Sequence, residues 1–507
     1  MAKYKNSDRS QLRIKMIDFS AQLVEGTIEH TIDYLIEHKV DLSIFNSRFR
    51  NDKTGAPAYH PKLMLKVILY AYTNGIISSR KIEKACEDNI IFMTLAADNL
   101  PHFTYIADFI HHFEEEIKKI FLEVLLVCWE MNLIGGEFLA LDGCKLPSNS
   151  AKEWSGTFSN LKRKEIKIRK TLEFLLEKHK ASDDSIEQKK TNQNQIEKIE
   201  ARADKIKDFL EKNQPKLGPR GNEIQSNITD NESAKMKTSK GTIQGYNGLA
   251  MVDSKRQVIL HAETHGGNNE SQYTRGFLNN SKAALFESKL PGTILTDATL
   301  IADTGFFSED NLKFLDDEEI KGIIPDNNFR KRDPRFQTMD RHREDGSKRK
   351  FTADDFILDE VKKTCICPDG KHLAYKGIRP SGGATAHKYD ASSADCSVCD
   401  IRERCLKKGN VKSRTLYVSI PKYGHNYSKE MIARIDTPDA RDIYSKRMGI
   451  VEPVFGNIRA NKGIHRFNYR TKRKVNIQWL MYCMMHNIGK IHKAHEALNI
   501  CETRCRK

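Results

Sequence analysis

Hydrophobic positions in the first quarter of the chain recur at three- and four-residue intervals. In YHPKLMLKVILYAYTNGIISSRKIEKAC, residues 59–86, Leu63, Val67, Leu69, Tyr70 and Ile82 mark helix faces. Ser78 or Ser79 offers the N-cap of the second helix. These signals predict a helical N-terminal domain over 1–130. Helices ending in Arg and Lys suit DNA-end binding, and a plain packing domain fits the same pattern. The period then shortens. FLALDG (138–143) is an apolar strand ending on the carboxylate of Asp142, and CKLPSNSAKEW after it reads as a polar loop. Further strands are predicted in GTIQGYNGLAMVD (241–253), QVILHAETH (257–265), ATLIADTG (298–305) and KGIIPD (321–326). Between the last two, SEDNLKFL opens a helix capped by Ser308.

Strands interleaved with helices predict an α/β catalytic core, with 131–159 as its first part and 215–329 as its main strands. Two segments interrupt it. Residues 160–214 are dense in Lys and Glu, and Ile196, Ile199, Ala203, Ile206 and Leu210 keep a three-four spacing. That pattern predicts a charged helical arm, either a helical hairpin or short coiled coil or a simply solvated helix. Residues 330–412 form a polar, Cys-containing insertion. The closing part, 413–507, returns to helix with an apolar stripe of Trp479, Leu480, Cys483, Met484 and Ile488.

Composition sharpens this picture. A chain of 507 residues divides into several domains, and 39% hydrophobic residues suffice to bury their cores. The start, MAKYKNSDRSQ, is polar, and the longest apolar run, IFLEVLLVCW at 120–129, is broken by Glu123. Neither a signal peptide nor a membrane span is expected, so the reading is cytoplasmic. The formal charge of +16 and pI near 9.1 favour a polyanionic partner. Position matters more than the total: from Tyr444 to the end, 14 Lys and Arg face three Glu, a local net of +11. Five of the eleven Cys lie between Cys365 and Cys405. A CxxC pair with outlying thiols makes Cys367, Cys396, Cys399 and Cys405 candidates for structural Zn²⁺, with Cys365 as an alternative fourth ligand and reduced thiols as the other reading.

In GIVEPVFGNIRANKGIHRF, residues 449–467, Glu452 stands alone among Arg459, Lys462 and Arg466. A carboxylate beside a phosphate backbone costs free energy unless a divalent cation lies between them. Mg²⁺ needs oxygen ligands, which gives Glu452 two candidate partners, Asp142 and Asp303, both following apolar runs. Spacing alone leaves Asp253, Asp297 and Asp230 open as well.

Four further stretches carry a resemblance: LDGCKLPSNSAKEWSGTF, NITDNESAKMKTSKGTIQGYNGLAMVD, IADTGFFSEDN and IYSKRMGIVEPVFGNIRANKGIHRF. Together with the N-terminal helical motif they resemble, in order, the DDE transposases of bacterial insertion sequences, nearest the eleven-eighty-two group. The resemblance implies a ribonuclease H-like core with Asp142, Asp303 and Glu452 as a triad holding Mg²⁺ or Mn²⁺. It implies that Tyr444 and Arg447 contact transposon-end DNA, while Arg459, Lys462 and Arg466 hold the phosphate backbone. Its partners would be the terminal inverted repeats and target DNA, bound by a homodimer at the bacterial nucleoid. The sequence departs from the usual pattern in having four residues between Arg447 and Glu452, and Arg459 where Lys is usual. Two rivals stay open: a ribonuclease H-like nuclease that stops after hydrolysis, and a catalytically inactive DNA-binding derivative.

Overall fold

A computed structural model describes residues 16–48, 57–180, 186–218, 221–238, 240–336, 350–359, 361–381, 384–406 and 411–505. The chain forms two compact units, one of Met1–Leu300 with Arg447–Lys507, the other of Ile301–Lys446.

The first unit opens with helices Ile28–His38, Pro61–Thr73, Ser79–Asp88, Ile90–Leu95, Phe103–His112 and Glu114–Glu130. Local chemistry sets their starts. Thr27 accepts the His30 N–H at 3.3 Å, Pro61 fills a first-turn position, and Asn89 accepts the Ile91 N–H at 2.9 Å. Ser78 precedes the third helix with extended backbone, yet its side chain makes no capping bond. Ile32, Leu35, Met64, Leu65 and Ile68 are buried, and the buried Lys66 is neutralised by Asp33 at 2.6 Å and Glu37 at 2.5 Å.

Five strands of the main sheet belong to this unit wholly or in part: β1 Phe138–Pro147, β2 Ala234–Thr238, β3 Gly241–Asp253, β4 Ile259–His265 and β5 Thr299–Ala302. β3 pairs antiparallel with β1, from Leu139↔Asp253 to Pro147↔Gly245. It also pairs antiparallel with β2 and then β4. β5 follows β1 in the strand order, and Thr299 donates its N–H to the Glu137 carbonyl at 2.9 Å. Here the structure corrects one expectation. β1 does not end at Asp142 but continues through Cys144, Lys145 and Leu146 to Pro147, because the thirteen-residue β3 supplies ladder partners all along it. Asp142 is therefore mid-strand, opposite Ala250.

The closing helix, Lys472–Cys505, is no one-sided stripe: every residue from Trp479 to Ile488 is buried. It meets β4 and the 61–73 and 114–130 helices, so it is covered all round. Some polar groups in this buried stretch find partners, although the Tyr482 hydroxyl has none among the described residues. Trp479 donates to the Leu249 carbonyl at 3.0 Å, and Asn487 both accepts the Ile259 N–H at 2.9 Å and donates to its carbonyl at 2.8 Å. Gly248 makes room for the indole, since a Cβ there would lie 2.7 Å from the Trp479 ring.

The charged arm forms helices Phe158–Lys180 and Ile186–Lys212, in contact with each other. Ile196, Ala203, Ile206 and Phe209 are buried, while Ile199 and Leu210 are partly covered. Arg169 ties the pair by bonding Glu165 at 2.8 Å and Asp204 at 3.0 Å.

The second unit starts inside β5 and continues with helix Glu309–Asp317, capped by Ser308, which accepts the Asn311 N–H at 3.3 Å. β6, Lys321–Ile323, is the neighbour of β5. Ile323, Phe329, Ile435 and Ala440 make a small core. Five more strands follow: β7 Ile357–Asp359, β8 Thr364–Ile366, β9 His372–Ser381, β10 Ala384–Asp390 and β11 Thr415–Ser419. They form an antiparallel sheet in chain order. The insertion thus runs past its expected end at 412, because Leu416 of β11 closes a core with Phe351, Phe356, Cys365, Leu373 and Tyr389.

Candidate functional site

Asp142 lies at the centre of β1. Its Oδ1 accepts the Gly143 N–H at 2.8 Å, and its Oδ2 accepts Arg447 Nη1 at 2.7 Å. The two side chains are only 19% and 14% exposed, so this is a charge-assisted bond partly shielded from water. Arg447 belongs to helix Pro438–Gly456, and the pair pins that helix to the middle of β1. Glu452 is five residues further on, about 7.5 Å along the axis at 1.5 Å per residue, and its side chain is exposed.

The next residue explains how this stretch is held. Pro453 has no N–H, so the Gly449 carbonyl loses its helical donor. Gln257 Nε2 replaces it at 2.9 Å. Gln257 sits in the turn before β4 with φ +59°, and its Oε1 also accepts Lys490 Nζ at 2.9 Å. A proline visible in the sequence thereby recruits a support that the sequence does not reveal. Beyond Gly456 the chain makes a wide π-helical turn, Asn457–Asn461.

Asp303 belongs to the second unit. It follows β5 directly, is partly buried, and its Oδ1 accepts the Gly305 N–H at 2.7 Å, capping the turn Thr304–Phe306. The other aspartates differ. Asp253 is fully buried and accepts the N–H groups of Gly135, Gly136 and Lys255 at 3.0, 2.8 and 2.9 Å, so its oxygens serve the backbone. Asp230 is 3% exposed and accepts Tyr246 Oη at 2.8 Å; burial raises its pKa. Asp297 is exposed at the end of the turn Ile294–Asp297.

In the second unit Cys367, Cys396, Cys399 and Cys405 line one cavity of about 30 Å³. The Lys371 N–H donates to Cys367 Sγ at 3.3 Å. Burial, then the neighbouring thiols Cys396, Cys399 and Cys367, push the Cys405 thiol up, against a lowering by Arg414. Cys365 is instead fully buried within the sheet core. Among the described residues, no three His, Cys, Asp or Glu side chains are already gathered into a metal-holding group.

Comparison with known families bears on both ends of the chain. Residues 18–112 match the Transposase domain (DUF772), and residues 366–492 match the Transposase DDE domain. These two matches support a DDE transposase of an insertion sequence. No curated protein matches the chain. The DDE match takes in the transposase's Arg447, Glu452 and four clustered Cys, while Asp142 and Asp303 lie outside both matched segments. The mixed helix-and-sheet architecture is compatible with a ribonuclease H-like core. Among the described residues no helix is long and apolar enough to cross a membrane.

The residues singled out in the sequence for DNA contact have different fates. Tyr444, in the second unit, packs its ring edge-on against Phe329 at 5.3 Å. Arg459 is exposed on the π-helical turn. Arg466 is exposed and donates to Asn149 Oδ1 at 3.0 Å, just beyond β1. Lys462 is only 7% exposed, and burial followed by Lys493 lowers its pKa to about 8. Sequence reading also passed over Glu270, which accepts Asn247 Nδ2 at 2.8 Å and lies 3.8 Å from Lys145. Gly143 accommodates that group, since a Cβ would come within 2.6 Å of Asn247.

Proposed function

We propose that this transposase serves a bacterial insertion sequence of the eleven-eighty-two group. It cuts the element's ends and joins them to target DNA by metal-dependent phosphoryl transfer on a ribonuclease H-like core. The observation that carries this reading is the Asp142–Arg447 ion pair, which sets a mid-strand carboxylate against the helix bearing Glu452 in a chain with transposase domains toward both ends. Asp303 is the third carboxylate of the proposal. Carboxylate oxygens are the donors that Mg²⁺ or Mn²⁺ takes. When bound, such cations supply Lewis acidity and a water of lowered pKa.

The chain's own groups do the rest. Arg447 orients Asp142 and offsets its charge, and a phosphate offers the same guanidinium a second partner. Arg459 and Arg466, both exposed, position the DNA backbone without reading its sequence. The DNA complex is proposed to hold two copies of the chain, at the bacterial nucleoid. In the second unit, Cys367, Cys396, Cys399 and Cys405 are proposed to hold a structural Zn²⁺. Four thiols on one small cavity, one already accepting an N–H, form a suitable donor set, and the cation would relieve repulsion among the thiolates.

The test uses DNA carrying the element's own ends, with Mg²⁺. The wild type is expected to cut and join. Asp142→Asn, Asp303→Asn and Glu452→Gln should each lower cutting on the order of 10⁴-fold while DNA is still bound. Asp253→Asn and Asp297→Asn should still cut. Cutting without joining would identify a nuclease, and binding without cutting an inactive derivative. Normal cutting by all three carboxylate variants would end the reading.

A further inference from the structure

Two buried lysines in the first unit are treated differently. Lys66, 8% exposed, has carboxylates on both sides. Lys462, 7% exposed, forms no ion pair among the described residues and is one of the residues lining a cavity of about 430 Å³. That is far more than the roughly 10–15 Å³ needed to hold one water. Holding a lysine so buried without a counter-charge disfavours its charged form. The arrangement makes sense if the counter-charge arrives from outside.

Other lining groups point the same way. Lys490 and Lys493 share the cavity, and among the described residues no Asp or Glu lines it. His486 adds no charge: its Nε2 meets the Gln257 carbonyl at 2.8 Å and its Nδ1 meets Asn457 Nδ2 at 2.9 Å, the pattern of a neutral ring. Burial accordingly pushes His486 down to about 3. Lys490 donates to the neutral Gln257 Oε1, and the exposed Lys493 also borders a second cavity of about 270 Å³. Lys255 and Arg256 line that second cavity, again with no Asp or Glu among the described residues. The two cavities share Gln257, Lys490 and Lys493, so cations line them from Lys462 to Lys255.

We propose that this row is a phosphate-binding track for the DNA backbone, with Lys462 as its buried anchor and Lys493, Lys490 and Arg256 continuing it. This rests on the reading that the protein acts on DNA and adds where one stretch of that DNA lies. The same chemistry would admit free phosphate, which the test separates.

Duplex binding is measured against salt without divalent metal, so the carboxylates take no part. Lys462→Met, Lys493→Ala and Arg256→Ala are each expected to reduce the log–log salt slope by about 0.9, one phosphate contact apiece. Lys493 and Arg256 are exposed, so their variants keep the test readable if Lys462→Met folds poorly. Thermal melting supplies the second arm. Lys462→Met should melt no lower than the wild type in chloride, and inorganic phosphate at equal ionic strength should raise the wild-type midpoint but not the variant's. Unchanged salt slopes in all three variants would overturn the DNA track, and a phosphate-dependent shift beside unchanged slopes would mean a small-anion site instead. A protein that still cuts DNA with unchanged slopes loses only the track; one that loses slope but never cuts loses only the transposase mechanism.

Discussion

The two sheets are held together by different means. In the first unit β3 is buried from Gln244 to Asp253, and against the sheet lies a helix with ten consecutive buried residues, Trp479 to Ile488. In the second unit the five-stranded sheet has six buried core residues, and β9 carries mostly exposed or half-exposed side chains. Apolar burial scales with the amount of chain that can be folded over a core, and segments of about 70 residues commonly need a staple. The comparison teaches that four thiols on one cavity belong to the region with least hydrophobic support.

Probes for the two regions are built in. All three tryptophans, Trp129, Trp154 and Trp479, lie in the first unit, so their fluorescence follows that unit. The second unit's thiols report on the other. The largest expected effect is metal removal. Structural zinc binding contributes about 10–16 kcal/mol in zinc-finger peptides, so chelation or Cys396→Ser with Cys399→Ser should open the 350–419 sheet and leave tryptophan fluorescence unchanged. Metal analysis should find about one zinc per chain in protein purified without added zinc. No zinc and four freely reacting thiols would break the comparison.

Next comes Trp479→Ala. The ring is fully buried and its N–H bonded, so the variant should lose about 3–5 kcal/mol of first-unit stability in denaturant unfolding followed by Trp129 and Trp154. Thiol exposure in the second unit should keep its midpoint. A shared shift would mean that the units unfold as one.

The smallest effect is pH dependence. His486 is held near 3 and His111 near 4, chiefly by burial, against an ordinary value of 6.5. The unfolded chain therefore takes up these protons first as pH falls. First-unit stability should be full above about 6.5 and decline below it, by up to about 1.4 kcal/mol per pH unit for each histidine. In the second unit burial raises Asp326 and Asp333, but Arg332 and Arg335 outweigh it and hold both below 3.8, so their contribution is lost only in stronger acid. His486→Gln should flatten the first unit's slope between pH 6.5 and 5 in urea unfolding. An unchanged slope would show that the ring is already protonated in the folded chain.

Much of this was legible in the chain itself. Periodicity placed β3, the helix after Ser308 and the helical arm within a few residues, because those signals depend on local spacing and caps. The ordered motifs carried the family resemblance, and the basic surroundings of Glu452 marked the candidate site. Three features depended on contacts distant in sequence. β1 continues past Asp142 because β3 is long enough to pair with it, which no local window reports. Asp253 and Asp142 look alike in sequence, yet one is occupied by three backbone N–H groups and the other by Arg447, 305 residues away. Lys462 reads as one more exposed cation of a basic tail, and only the folding of the helices and the Gln257 turn around it decided that it is buried without an acid. Local pattern fixes an element's type, whereas the partner of each charge is set by which distant segments tertiary packing brings within hydrogen-bond reach.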